Sequence, residues 1–177
     1  MLTSLVGSEM CIRDRAESVF KDNFQNSEKW NFVTDQVMGG VSSGNVEFIP
    51  LKNNFVAHIT GKISTQNRGG FIQIRRKLNK VNLENSKFIN ITAKGNNQKY
   101  FIHLRTTGTF LPWQYYQINF NVNNEFKVFS LPIDAFKSSS SFLSDKINPK
   151  KITSIGIVAF GRDHIADLFI KEVSFVN

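Results

Sequence analysis

Nine short apolar runs, separated by turn residues and never giving way to a long window of helical period, constrain this chain more than any other feature. They are Val46–Ile49, Phe55–Thr60, Phe71–Arg75, Phe88–Ala93, Tyr100–Arg105, Tyr116–Val122, Phe126–Leu131, Ile152–Phe160 and Leu168–Phe175. Gly44-Asn45, Lys52-Asn53-Asn54, Gly95-Asn96-Asn97 and Asn123-Asn124 fall between runs. Asn and Gly take positive φ at little cost, so each of these reads as a tight turn. Runs at roughly 10–15 residue spacing with no helical pattern between them predict an all-β fold, a β-sandwich or jelly roll. The apolar composition agrees: Phe occurs 17 times, and Phe with the β-branched residues suits a pleated surface. Helices are expected to be short and peripheral, with the Ser138–Ser141 stretch in a surface loop.

The length of 177 residues fits one domain, large enough to fold without a metal or disulfide staple. The single cysteine, Cys11, allows neither an internal disulfide nor a cysteine metal cluster. No apolar run approaches the roughly 18 residues of a membrane span. Residues 1–15 look unlike the rest. Glu9-Met10-Cys11-Ile12-Arg13-Asp14-Arg15 resembles translated adapter sequence, so the segment is read as non-native or disordered, with 16–177 as the single sandwich domain. On that reading the natural start is missing, and any export or transit signal it carried is missing with it. The expected location is otherwise the cytoplasm.

The net charge of +8 raises the question of nucleic acid. The cations are scattered, with only short clusters at Arg75-Arg76-Lys77 and Lys150-Lys151, whereas phosphate binding needs clustered contacts. A nucleic-acid partner is not expected.

Parity assigns faces within the strands, because successive side chains point to opposite sides of a sheet. Ile72 and Ile74, Ile102 and Leu104, and Tyr116, Ile118, Phe120 and Val122 form core faces, with Ile157 in the core as well. The opposite faces carry Phe71, Gln73 and Arg75, then Phe101, His103 and Arg105, then Tyr115, Gln117 and Asn119. If these strands are neighbours, Gln73, Arg75, His103, Arg105, Gln117 and Asn119 form one patch. An ordinary solvated face is one reading. The other is a binding face, since Lys and Glu are absent from it and planar amide and guanidinium groups donate in fixed directions. Trp113 beside Tyr115 and Tyr116 reads either as an aromatic platform for a sugar or partner, or as core packing at a corner.

Further along, Trp30 with Thr34-Asp35-Gln36-Val37-Met38-Gly39-Gly40-Val41-Ser42 opens an ordered series of marks. Asn67-Arg68-Gly69-Gly70-Phe71 leads to Arg75, followed by Leu104-Arg105, Tyr115-Tyr116-Gln117, Leu131-Pro132 and Ile155-Gly156. Over about residues 20–177 this series resembles the complex I intermediate-associated protein 30 family. The resemblance implies a galactose-binding-like jelly roll. It also implies a protein partner, namely respiratory-complex subunits or assembly intermediates. Met38, Gly39, Gly40, Gly69 and Gly70 are its structural motif. Asp35 is read either as accepting backbone N–H groups to lock its loop or as a contact for a ligand.

Nothing points to catalysis. His58, His103 and His164 lack ligand spacing, and no Gly-x-Ser-x-Gly elbow or phosphate loop occurs. No metal and no cofactor are expected. The expected function is therefore a non-catalytic binding or assembly module, chaperone-like in action, with a carbohydrate-binding module as the alternative. The candidate contacts are Asp35, Arg75, His103, Arg105, Trp113, Tyr115 and Gln117.

Overall fold

The structure is a computed structural model that describes residues 17–78 and 80–177; the reading of residues 1–15 lies outside them. Its strands are β1 (Ser18–Asp22), β2 (Trp30–Thr34), β3 (Ser43–Leu51), β4 (Asn54–Ile63), β5 (Phe71–Lys77), β6 (Phe88–Gly95), β7 (Lys99–Thr106), β8 (Tyr116–Asn121), β9 (Lys127–Pro132), β10 (Lys137–Ser138), β11 (Ile152–Phe160) and β12 (His164–Val176). All helical pieces among the described residues are single 3-10 turns. All nine expected runs lie on strands, and β1, β2 and the two-residue β10 are additions.

Two antiparallel sheets face each other. The first runs β3-β4-β12-β6-β9, with β1 pairing the C-terminal part of β12 through Asp22↔Val173. The second runs β10-β8-β7-β11-β5-β2. The thirteen-residue β12 pairs β4 along His164–Ile170 and β6 along Leu168–Val176, so it is the spine of its sheet. Lys52 takes φ +54° in the β3–β4 hairpin and Asn97 takes φ +59° between β6 and β7, as the turn chemistry predicts. Gly44 and Asn45 are a correction. They pair with Gly61 and Thr60 inside β3, and a Cβ on Gly44 would lie 2.4 Å from the Thr60 carbonyl oxygen. Close approach of two backbones, not a turn, is what that glycine serves.

The core lies between the sheets. Ile72, Ile74, Ile102, Leu104 and Ile157 of the second sheet are fully buried, facing Ile59, Ile91, Ala93, Leu168 and Ile170 of the first. Parity thus assigned the core face of β5, β7 and β11 as observed. Ile118 is the exception: it is only partly buried, because β8 is covered on its outer edge by just the two residues of β10. Replacing Ile102 by alanine is expected to cost about 2–5 kcal/mol, read by urea unfolding. A loss below about 1 kcal/mol would mean that the interior collapses around the gap far better than close packing allows.

Polar hubs tie the sheets together. Asp22 of β1 accepts from the Phe24 amide at 2.8 Å and from the Trp30 indole N–H at 2.8 Å. It also pairs with Arg76 of β5. The second hub is Asp35, at the end of β2, which is completely buried.

Candidate functional site

The Asp35 hub joins two glycine loops. Its Oδ1 accepts from the Ser42 amide at 2.9 Å. Its Oδ2 accepts from the Ser42 hydroxyl at 2.6 Å and the Gly70 amide at 2.6 Å. A Cβ on Gly40 or on Gly69 would stand 2.3 Å from the Asp35 carboxyl group, so both glycines are required by its close fit. Gly39 at φ +87° and Gly70 at φ +128° turn the chain on either side, and Asn67 bridges the loops by donating to the Gly39 carbonyl. Met38 points outward at 57% exposure. Asp35 is therefore a structural carboxylate, away from any open face. It does not stand between Arg75 and Arg105 as their counter-ion.

The other candidates gather on the outer face of the second sheet. The strands bring Arg75 of β5, Gly156 of β11, His103 of β7 and Gln117 of β8 into one row. β5 and β7 are not neighbours, because β11 runs between them. The sequence reading missed the contribution of β11. Its outer positions Ser154, Gly156 and Phe160 were visible as the parity partners of the core residues Ile155 and Ile157. Gly156 presents no side chain, so Arg75 and His103 face each other across bare backbone, and Gln73 leans over it with Oε1 only 2.7 Å from where a Cβ would be.

His103 is walled in by aromatics. Tyr115 stacks on it at 4.1 Å between ring centroids and 10° between planes, and Phe160 meets it edge-on at 5.4 Å. Burial pushes its pKa down to about 4, with Gln117 opposing more weakly. The pull of Gln117 falls short of a formed bond: His103 Nε2 and Gln117 Oε1 are both buried without a hydrogen-bond partner. At neutral pH the ring is uncharged, so it adds no third positive charge beside the two arginines.

This shift has a consequence for stability. The unfolded chain binds a proton at the ordinary imidazole value near 6.5, while the folded chain resists it until about 4. Between those values the unfolded state holds more protons, so stability must fall as pH drops from about 6.5 and level off below about 4, by up to about 3 kcal/mol. His103→Gln should flatten that part of the curve. An unchanged pH–stability slope in the variant would show that His103 is not the group responsible.

Arg105 is fixed by its own loop. One terminal nitrogen donates to the Thr109 carbonyl at 3.3 Å and the Leu111 carbonyl at 3.0 Å. Its pKa is lowered, first by burial and then by the nearby charge of Arg75. Among the described residues no carboxylate lies within ion-pair reach of Arg75 or Arg105. Two adjoining clefts open on this face and share both arginines and Ser154. The larger, of about 370 Å³, is lined also by Lys77, Thr109 and Thr153. The smaller, of about 40 Å³, is lined also by Gln73, His103, Pro112 and Tyr115.

Trp113 stands apart from this row, in the loop before β8, at 64% exposure. Ser139 holds that loop by donating to the Trp113 carbonyl at 2.7 Å and accepting from the Tyr115 amide at 2.9 Å. His58 and His164 are elsewhere. His58 pairs with Asp167 on the first sheet at 2.7 Å, and His164 contacts the Arg162 carbonyl at 2.7 Å. No group of three or more His, Cys, Asp or Glu gathers among the described residues.

Two antiparallel sheets packed face to face define the class: a β-sandwich of the type seen in carbohydrate-binding modules. The family 11 carbohydrate-binding module from Clostridium thermocellum, solved with a β-1,3-1,4-mixed-linked tetrasaccharide, superposes with a TM-score of 0.71 at 11% identity, covering 91% of this chain and 98% of that one. A non-crystalline cellulose-specific module, CBM28, gives a TM-score of 0.56 at 10% identity, covering 92% and 96%. A CBM4 module gives 0.52 at 15% identity, covering 90% and 94%. At these identities the likeness is one of fold. By sequence, the profile of the Complex I intermediate-associated protein 30 (CIA30) family matches residues 19–168, and the chain belongs to that family. No curated protein matches it by sequence.

Proposed function

We propose that this protein is a non-catalytic binding module that works through the outer face of its second sheet, holding a protein partner there in the assembly of a respiratory complex. The carrying observation is the pair Arg75 and Arg105, set close enough to repel, with no carboxylate of the described residues in ion-pair reach of either. Like charges held together in a cleft favour a partner that brings the missing anion. Around them stand Gln73, His103 and Gln117, directional groups suited to fixing its orientation. Family membership supports the choice of a protein partner and of complex I intermediates as its source.

A carbohydrate ligand is the second reading. What favours it is the flat Tyr115–His103 stack beside planar amides, together with a fold shared with sugar-binding modules. The test is co-migration: the tagged protein, expressed from its own locus, is followed through native electrophoresis of solubilised membranes. Association with complex I subunits or partial assemblies, and accumulation of partial assemblies when the gene is deleted, is the expected result. Saturable binding on a glycan array without co-migration would move the conclusion to the second reading.

A further inference from the structure

The loops 107–115 and 139–151 meet at one end of the second sheet. Both are held by internal hydrogen bonds. Gln114 Oε1 accepts from the amides of Phe110 at 2.9 Å and Leu111 at 3.1 Å. The Thr107 amide donates to the Lys151 carbonyl at 2.9 Å, and the Tyr116 hydroxyl donates to the Ser144 carbonyl at 2.9 Å. Ser139 ties one loop to the other. Loops so well bonded ordinarily fold their large apolar side chains inward. Leu143 and Ile147 do so, but Phe142 is 92% exposed, Phe110 83% and Trp113 64%. Phe142 shares a cleft with Gly108, Lys146 and Lys151.

The charge carried by these loops is mostly positive. From Lys137 to Lys151 the chain carries Lys137, Lys146, Lys150 and Lys151 against the single acid Asp145, and the loop 107–115 carries no acid. Phe142 shares its cleft with two lysines, a setting poorly suited to a protein interface, whose core is depleted in Lys. Exposed aromatics and lysines together match an anionic lipid surface, where apolar side chains enter the acyl boundary and strongly hydrated ammonium groups stay among the headgroups. No helix of the described residues is long and apolar enough to cross a membrane; exposed loop aromatics with lysines suit a contact that lies on the surface.

We propose that this end of the sandwich docks on anionic phospholipid membranes, with Phe110, Trp113 and Phe142 entering the interface and Lys146, Lys150 and Lys151 meeting the headgroups. This surface is separate from the Arg75–Arg105 cleft and stands whether or not that cleft takes a protein. Docking here would hold the sheet face beside a membrane, where respiratory complexes are built.

The experiment uses the full chain with vesicles of phosphatidylcholine, alone or mixed with phosphatidylglycerol. Sedimentation gives the partition. The chain has two tryptophans, and Trp30 is buried at 5% exposure. A blue shift of the emission on binding therefore reports Trp113 leaving water. Binding should require phosphatidylglycerol and be reversed by salt. The triple change Phe110→Ser, Trp113→Ser, Phe142→Ser should weaken partition by roughly 1,000-fold, each aromatic being worth about a factor of ten. The triple change Lys146→Glu, Lys150→Glu, Lys151→Glu should abolish the lipid preference. Circular dichroism and melting of each variant establish that it is folded, and single changes replace any triple that is not. Failure of the wild-type chain to bind phosphatidylglycerol vesicles would overturn the proposal. So would an aromatic variant that binds as tightly as wild type, which would reduce the contact to diffuse charge.

Discussion

Replacing Asp35 by alanine is expected to destabilise the fold by about 4 kcal/mol or more, a large part of the 5–15 kcal/mol of a typical domain. The carboxylate lies at zero exposure and is the acceptor for the Ser42 amide, the Ser42 hydroxyl and the Gly70 amide. Truncation leaves these donors buried, and each unsatisfied donor costs about 1–3 kcal/mol. Asp35→Asn keeps one acceptor oxygen but turns an amide NH₂ toward donors, so it should recover only part of the loss. Urea unfolding of both variants measures the effect. A loss below about 1 kcal/mol for Asp35→Ala would mean that the loops hold without their carboxylate and that the hub reading is wrong.

The same residue shows where the sequence stops being readable. The Gly39-Gly40 pair and the acid before it are local, so a backbone lock is legible. That the Gly70 amide, 35 residues on, completes the lock depends on how β2 and β5 pair, and no local pattern carries that. Parity gave the outer face of β5, β7 and β8 because a two-residue period survives in a short run. Strand order is nonlocal, so the passage of β11 between Arg75 and His103 was not legible. Without it, the bare backbone at Gly156 that opens the cleft could not be seen. β1 and β10 escaped notice for a simpler reason: SVFKD is half-exposed and KS is two residues long, too little for an alternation to register.

The double change Arg75→Ala and Arg105→Ala is expected to leave a folded domain that no longer holds its partner. Arg75 makes no ion pair among the described residues, and removing it relieves the repulsion that adds to burial in lowering the Arg105 pKa. Arg75→Ala alone should therefore be neutral or slightly stabilising. Arg105 contributes more to the fold through its bonds to the Thr109 and Leu111 carbonyls, so the double variant should lose about 1–3 kcal/mol of stability while remaining folded at room temperature. Binding should suffer far more. An anion seated between two guanidinium groups loses both charge-assisted contacts, and truncating even one side of such a pair costs about 2–5 kcal/mol, at least roughly 30-fold in affinity. Arg75→Lys keeps the charge but not the planar fork, so it should recover only part of the binding. The measurement is the co-migration of tagged wild-type, Arg75→Ala, Arg75→Lys and double-variant proteins with complex I intermediates, alongside their melting curves. Full binding by a folded double variant would return this face to an ordinary solvated surface. Loss in the double variant with partial retention by Arg75→Lys would identify the cleft as an anion site that reads geometry as well as charge.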